Sequence, residues 1–406
     1  MEIKNNGNGY RSLFSSLRSC TEITPPCKNE NVNNDIIQDF NEKCDNYIKI
    51  LKNHTSVASI ERNKYATDKA AMKKLRGYIN TIYDVRDTVS DCLEYFLSGD
   101  IQAAYDLFDE TFNRTSKNQH LKNICIDLND ICNHSNPLYR VRKSEKFIEK
   151  RNELFHIPFK LRHLVNAQRY SVAGLPCLYL GTSLYICWQE MGKPDFDKLY
   201  ISAFKSEPTG NEKLILNFAS ELLNSSLSLR KDDIFRTTSE EILISYLCLW
   251  PLIIACNYIK TQPDAAFTQE YIIPNILMQW ISRKEKSPII GIAYRSTKIT
   301  SIKHSDLAIN VVIPPKATYK QMTNSSYCPT LIKTFTLTKP ISWQLLKTLD
   351  YPIINDEEAD KAVERLRKRE IQNFHEDLVR FYPITDFRRL EKTIDEVLPY
   401  EPIEGD

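Results

Sequence analysis

The sequence predicts an α+β protein in which an all-α helical bundle precedes a domain of mixed strands and short helices. Three observations lead there. Between residues 34 and 115, apolar residues recur at three- and four-residue steps, the spacing of a buried helix face. After Pro137, short apolar runs stand beside turn residues, the pattern of strands. Those runs do not alternate regularly with helices, which argues for α+β packing rather than repeated βαβ units.

Residues 1–30 hold Asn, Gly, Ser and Pro without periodicity and are expected to form a flexible lead-in. Residues 31–136 are expected to be the helical domain. Ile37, Phe40, Cys44, Tyr47, Ile48 and Leu51 form one stripe, and Met72, Leu75, Ile79, Ile82, Val85 and Val89 form another. The turn Ser98-Gly99-Asp100 announces a third helix over Ile101–Phe112. Residues 137–316 are expected to form the mixed domain. Pro176–Leu180, Leu199–Phe204, Leu214–Phe218, Pro288–Tyr294 and Leu307–Ile313 read as strands. Thr182 or Ser183 caps a short helix through Met191, and Glu240–Ile259 and Gln269–Arg283 read as helices. Residues 317–406 are left as a partly helical C-terminal extension, with a solvated charged helix over 356–371.

Fifty-four Lys and Arg against 52 Asp and Glu give a net charge of +2, which excludes a dedicated nucleic-acid-coating protein. Leu243–Ile259 is interrupted by Ser245, Pro251 and Asn257 and fits a buried helix better than a membrane span. The N-terminus lacks the apolar stretch of a signal peptide, so a cytoplasmic location is expected. The eleven cysteines contain no CxxC pair and fit reduced thiols in a protein interior.

Four features carry chemistry. Tyr139–His163 holds eight Lys and Arg against three Glu in a chain that is otherwise nearly balanced, and arginine's planar fork suits phosphate oxygens. The run Gln168-Arg169-Tyr170-Ser171 sets an arginine beside an aromatic ring, a pairing that grips a phosphate or forms a surface turn. Glu190 ends the nearly all-apolar run Leu184–Met191, so its carboxylate is at least partly desolvated and needs a partner or a purpose. Ser296 follows a strand in Tyr294-Arg295-Ser296, where its hydroxyl bonds a ligand or caps the next turn.

These pieces, taken in order, resemble the RES family. The resemblance lies in Phe155–His163, Gln168–Ser171, Gly174–Ser183 with its G-x-P-x-x-Y pattern, and Trp188-Gln189-Glu190. It continues in Glu270–Pro274, Gly291–Ser296 and Asn310, and so covers about 180 residues. It implies a fold related to ADP-ribosyltransferases and degradation of NAD⁺ by phosphorolysis or hydrolysis, an activity that many members use as bacterial toxins. It also implies that Glu190, Arg140 and Ser296 are catalytic, and that Arg142, Arg169, Tyr170, Tyr179 and Asn310 bind substrate. Arg140 would hold phosphate, a role Arg142 could also fill. The helical segment resembles the HEPN-like region of longer members at Tyr95–Tyr105. Compact members carry two glycines where this chain has Ala167-Gln168. The resemblance implies NAD⁺ as substrate, no bound cofactor and no metal, with inorganic phosphate as an alternative acceptor to water. An antitoxin or regulatory protein is the implied partner and a homo-oligomer stays open, whereas DNA and membrane are not expected.

Two rival readings stand beside it. Arg151-Asn-Glu-Leu-Phe-His156 fits the R-x4-H pattern of HEPN ribonucleases, which place both residues on one helix face, although Pro158 would end such a helix at once. A non-catalytic RES cleft that only senses nucleotide is the other.

Overall fold

The computed structural model describes residues 7–208, 212–223, 234–262, 264–298, 306–349, 357–368, 378 and 381–403. The chain forms two compact units. One comprises Met1–Cys125, Gln168–Tyr170 and Leu216–Trp280, and the other Ile126–Ala167, Ser171–Ile215 and Ile281–Asp406.

The first unit is helical. Its long helices are Ile36–Thr55, Ala66–Arg76, Ile79–Leu97, Ile101–Asn113 and Glu240–Cys256. Both predicted stripes are buried except for the half-buried Ile37 and Ile79, and the second is divided between two helices at Gly77 and Tyr78. Asp35 and Asp100 cap their helices by accepting the first free amides, and Gly99 supplies the positive φ that the turn needs. The helix Glu240–Cys256 is buried from Leu243 to Cys256, as a helix apolar on every side must be. Tyr47 stacks on its Trp250 and donates to the Leu247 carbonyl at 2.6 Å. Among the described residues no helix is long and apolar enough to cross a membrane.

The lead-in differs from expectation. Arg11–Ser19 is a helix whose Leu13, Phe14 and Leu17 are fully buried, and the indole of Trp250 donates to the Ile23 carbonyl. One apolar face was enough to order a segment whose composition reads as loop. Residues 1–6 lie outside the described residues.

The second unit is built on antiparallel strands: β1 (Leu138–Lys143), β2 (Leu178–Gly181), β3 (Leu199–Ser206), β4 (Ile289–Arg295), β5 (Ile309–Ile313), β6 (Phe335–Thr338), β7 (Ile341–Ser342) and β8 (Tyr400–Glu401). They run β4-β5-β2-β1-β3-β6-β8, with β7 also on β3. With the helical unit this is an α+β chain. The predicted strand at Leu214–Phe218 is also present. Strands β6, β7 and β8 and the helix Asp386–Val397 come from the segment expected to be a separate extension. Two to four residues per strand leave no periodic signal to read.

The register sets the faces. Ala203, Tyr139, Gly181, Asn310 and Tyr294 lie opposite one another along β3, β1, β2, β5 and β4. Directly opposed residues share a face, so these five form one row on one side of the sheet. The helix Leu184–Glu190 packs on that side, with Leu184 in a core of Tyr139, Leu199, Ile201, Ala203, Leu390 and Ile394. Beneath it, Phe196 stacks on Trp188 and on Trp343. Gly181 makes this packing possible: a Cβ there would stand 2.6 Å from Ile186 Cγ2 and 2.7 Å from Cys187 Sγ.

Candidate functional site

The helix bearing Glu190 starts where Ser183 Oγ accepts the Ile186 amide at 3.1 Å while donating to the Leu307 carbonyl at 2.7 Å. It ends at Glu190, and the chain then turns away through Gly192 and Lys193, both at positive φ. That turn leaves the Glu190 side chain at the helix end, 29% exposed.

Two of the predicted residues converge on it. Ser296 Oγ donates to Glu190 Oε1 at 2.6 Å, and Asn310 Nδ2 donates to the same oxygen at 2.8 Å. Ser296 directly follows β4 and Asn310 lies in β5 opposite Tyr294, so adjacent strands deliver both donors. Both are nearly buried, and among the described residues the second carboxylate oxygen carries no such pair of donors. Ser296 also caps its turn, accepting the Lys298 amide at 3.2 Å, as the turn-cap reading of this serine expects. Tyr179 lies two residues before Gly181 on β2 and therefore shares the Asn310 face.

Lys298 was not foreseen. Its Nζ donates to the Glu190 main-chain carbonyl at 2.5 Å and stands 3.5 Å from Oε2. Its position two residues past Ser296 was the available signal, because the turn that carries the serine to Glu190 carries the cation with it.

Arg140 and Arg142 are not brought to this carboxylate. They alternate with Tyr139 along β1 and so point from the opposite face of the sheet. Arg140 Nη1 donates to the Tyr179 carbonyl at 3.2 Å, and burial, with Arg142 adding to it, pushes its guanidinium down to about 10. Arg142 donates to the Glu153 carbonyl at 2.7 Å. Arg169 and Tyr170 belong to the helical unit. There Arg169 is buried, donates to the carbonyls of Cys256 and Tyr258, and sets its guanidinium 4.9 Å from the Tyr271 ring centre. Tyr170, also buried, donates to the Cys256 carbonyl at 3.3 Å.

The R-x4-H pair does not form a helix face. Arg151–Leu154 is a single 3₁₀ turn, and Arg151 is held by the Leu337 carbonyl at 3.0 Å and by Glu401 at 2.7 Å. His156 is fully buried. Its Nε2 accepts the Cys328 amide at 2.9 Å, which leaves Nδ1–H to donate to the Ile157 carbonyl at 2.8 Å. Only the neutral ring satisfies both bonds, and burial holds its pKa down to about 4. The geometry an RNA-cleaving Arg–His pair requires is absent here.

The chain is similar to a Bacillus subtilis (strain 168) protein named "Putative toxin YopC". They are 30% identical over 289 residues, which is 70% of this chain and 62% of that protein. The chain thus spans less than two thirds of the length of this relative. No family model matches the chain, and no solved structure does.

A carboxylate fixed on one oxygen, with the other beside a partly exposed lysine, is suited to facing developing positive charge. Each fixing donor serves a charged acceptor, a bond that contributes about 1.5–3 kcal/mol. Replacing Ser296 or Asn310 by alanine is therefore expected to lower turnover about 10- to 100-fold if Glu190 is catalytic. Steady-state rates of the two variants check this; unchanged rates in both would remove the donors from the mechanism.

Proposed function

We propose that the chain is an NAD⁺-degrading enzyme of RES type, with an ADP-ribosyltransferase-like fold, that cleaves the nicotinamide–ribose bond and acts as a toxin. The observation that carries this reading is the Glu190 carboxylate held by Ser296 and Asn310. The similarity to a protein named as a toxin supports the toxin part.

In this reading the bond between the ribose anomeric carbon and the ring nitrogen breaks with its electron pair going to nitrogen, and nicotinamide leaves neutral. The ribosyl group becomes oxocarbenium-like, and the fixed carboxylate of Glu190 stabilises it. An oxygen of water or phosphate then forms the new bond to carbon, and the attacking group gives up its proton. Ser296 and Asn310 keep Glu190 from rotating, so little reorganisation is needed as charge develops. Lys298 Nζ, 3.5 Å from Oε2, is the cation that faces this carboxylate before substrate arrives. In this reading Tyr179, on the same sheet face as Asn310, contacts the nucleotide.

The test is nicotinamide release by the purified chain, with and without inorganic phosphate, and with products separated. ADP-ribose identifies water as acceptor and its 1″-phosphate identifies phosphate. Saturable NAD⁺ binding by calorimetry without release would replace the enzyme by a nucleotide sensor. Neither binding nor release would end the NAD⁺ reading.

A further inference from the structure

The helix carrying Glu190 has only seven residues, too few to hold its own conformation, so its placement depends on what grips it. Its far end is gripped by a second carboxylate. Glu391, 2% exposed on the helix Asp386–Val397, accepts the Leu184 amide on Oε1 at 2.8 Å. The Tyr382 hydroxyl donates to the same oxygen at 2.5 Å, and Arg388 Nη1 stands 3.6 Å from Oε2. Leu184 is the first residue of the helix and Glu190 the last.

We propose that Glu391 is a positioning residue for Glu190: by fixing the start of the helix it fixes where the Glu190 carboxylate lies at the other end. This rests on the assignment of Glu190 as the reacting carboxylate. The physical case has three parts. Burying a carboxylate costs several kcal/mol, so a buried acid that only filled space would be better replaced by an apolar residue. Among the described residues the start of the helix has no competing acid: Ser183 takes the Ile186 amide, and Glu391 takes the Leu184 amide. Across roughly 9 Å of helix, a small tilt at one end displaces the other, and about 1 Å of displacement at a reacting group lowers rate about 100-fold. The close fit of Ile186 and Cys187 over Gly181 makes the helix a stiff body that passes on such a tilt.

The test uses the full chain and three variants. Glu391→Gln keeps an oxygen that can accept the Leu184 amide and is expected to retain kcat within about threefold. Glu391→Leu is expected to lower kcat about 10- to 100-fold with KM within about twofold, and to speed amide hydrogen exchange across 184–190. Tyr382→Phe removes one of the two donors and is expected to fall between them; it serves should Glu391→Leu not fold. Wild-type kcat and exchange in Glu391→Leu, or in Tyr382→Phe where that variant decides, would overturn the proposal. So would equal losses in Glu391→Gln and Glu391→Leu, the mark of a general structural role. A wild type that releases no nicotinamide defeats the NAD⁺ reading alone. The exchange data then decide: faster exchange at 184–190 supports the positioning and unchanged exchange refutes it.

Discussion

Replacing Glu190 by alanine is expected to lower nicotinamide release about 100- to 1,000-fold, the effect of deleting one preorganised group from a charge-stabilising site. The loss should fall on kcat, because the carboxylate matters most when the ribosyl carbon becomes positive. Glu190→Gln keeps the shape and still accepts from Ser296 and Asn310, yet lacks the charge. It is expected to fall nearly as far, which separates electrostatics from packing. Single-turnover kinetics with product analysis provide the measurement, and activity of Glu190→Ala equal to wild type would sink the mechanism. Folding is not expected to suffer greatly, because the Glu190 side chain is 29% exposed at the end of its helix.

The second large effect concerns pH. Burial raises the Glu391 carboxyl from 4.5 to about 7, against the lowering effects of the Tyr382 hydroxyl, the Leu184 amide and Arg388; Tyr139 and Cys187 also face it. A carboxyl with a folded pKa above its unfolded one binds its proton more tightly when folded. Its contribution is therefore fully present below about 4.5 and is lost as pH rises to about 7, by about 3 kcal/mol. His156 runs the other way. Its pKa drops from 6.5 to about 4 on burial, with Arg140 nearby, so its contribution is present above about 6.5 and lost as pH falls toward about 4. Between pH 4.5 and 6.5 the two nearly offset each other. Glu391→Gln removes one of them. Its stability relative to wild type is expected to rise by about 3 kcal/mol from pH 4.5 to pH 7. Urea unfolding at several pH values measures this, and a pH-independent difference would show that Glu391 does not titrate in that window.

Much of the fold was legible because it follows from periodicity. The stripe of Ile37–Leu51, the all-apolar helix at Leu243–Cys256 and the strand runs after Pro176 became elements near their expected bounds, whereas the stripe of Met72–Val89 is broken at Gly77 and Tyr78 into two helices. The strand Leu138–Lys143 was legible and missed. Tyr139 and Val141 alternate with Arg140 and Arg142, a period of two, but the density of positive charge drew attention to phosphate instead. The alternation places Arg140 and Arg142, the residues expected to hold phosphate, on the sheet face opposite Tyr139. Ser296, Asn310 and Glu190 were found through their order along the chain, and their meeting required the register of β4 and β5. Glu391 was illegible: it lies between Leu390 and Lys392 in a helix whose apolar stripe is short, and nothing local marks it as buried.

The sheet order has a consequence for anyone shortening this protein. The motif-bearing residues end at Asn310, but β3 pairs with β1 on one side and with β6 and β7 on the other. A chain cut at residue 316 would leave the outer edge of the eight-residue β3 bare and strip Leu390, Ile394 and Trp343 from the core under the Glu190 helix. An open edge of that length pairs readily with other chains. A stop codon between residues 316 and 334 should therefore abolish activity as surely as loss of Glu190, by aggregation and with Glu190, Ser296 and Asn310 still encoded.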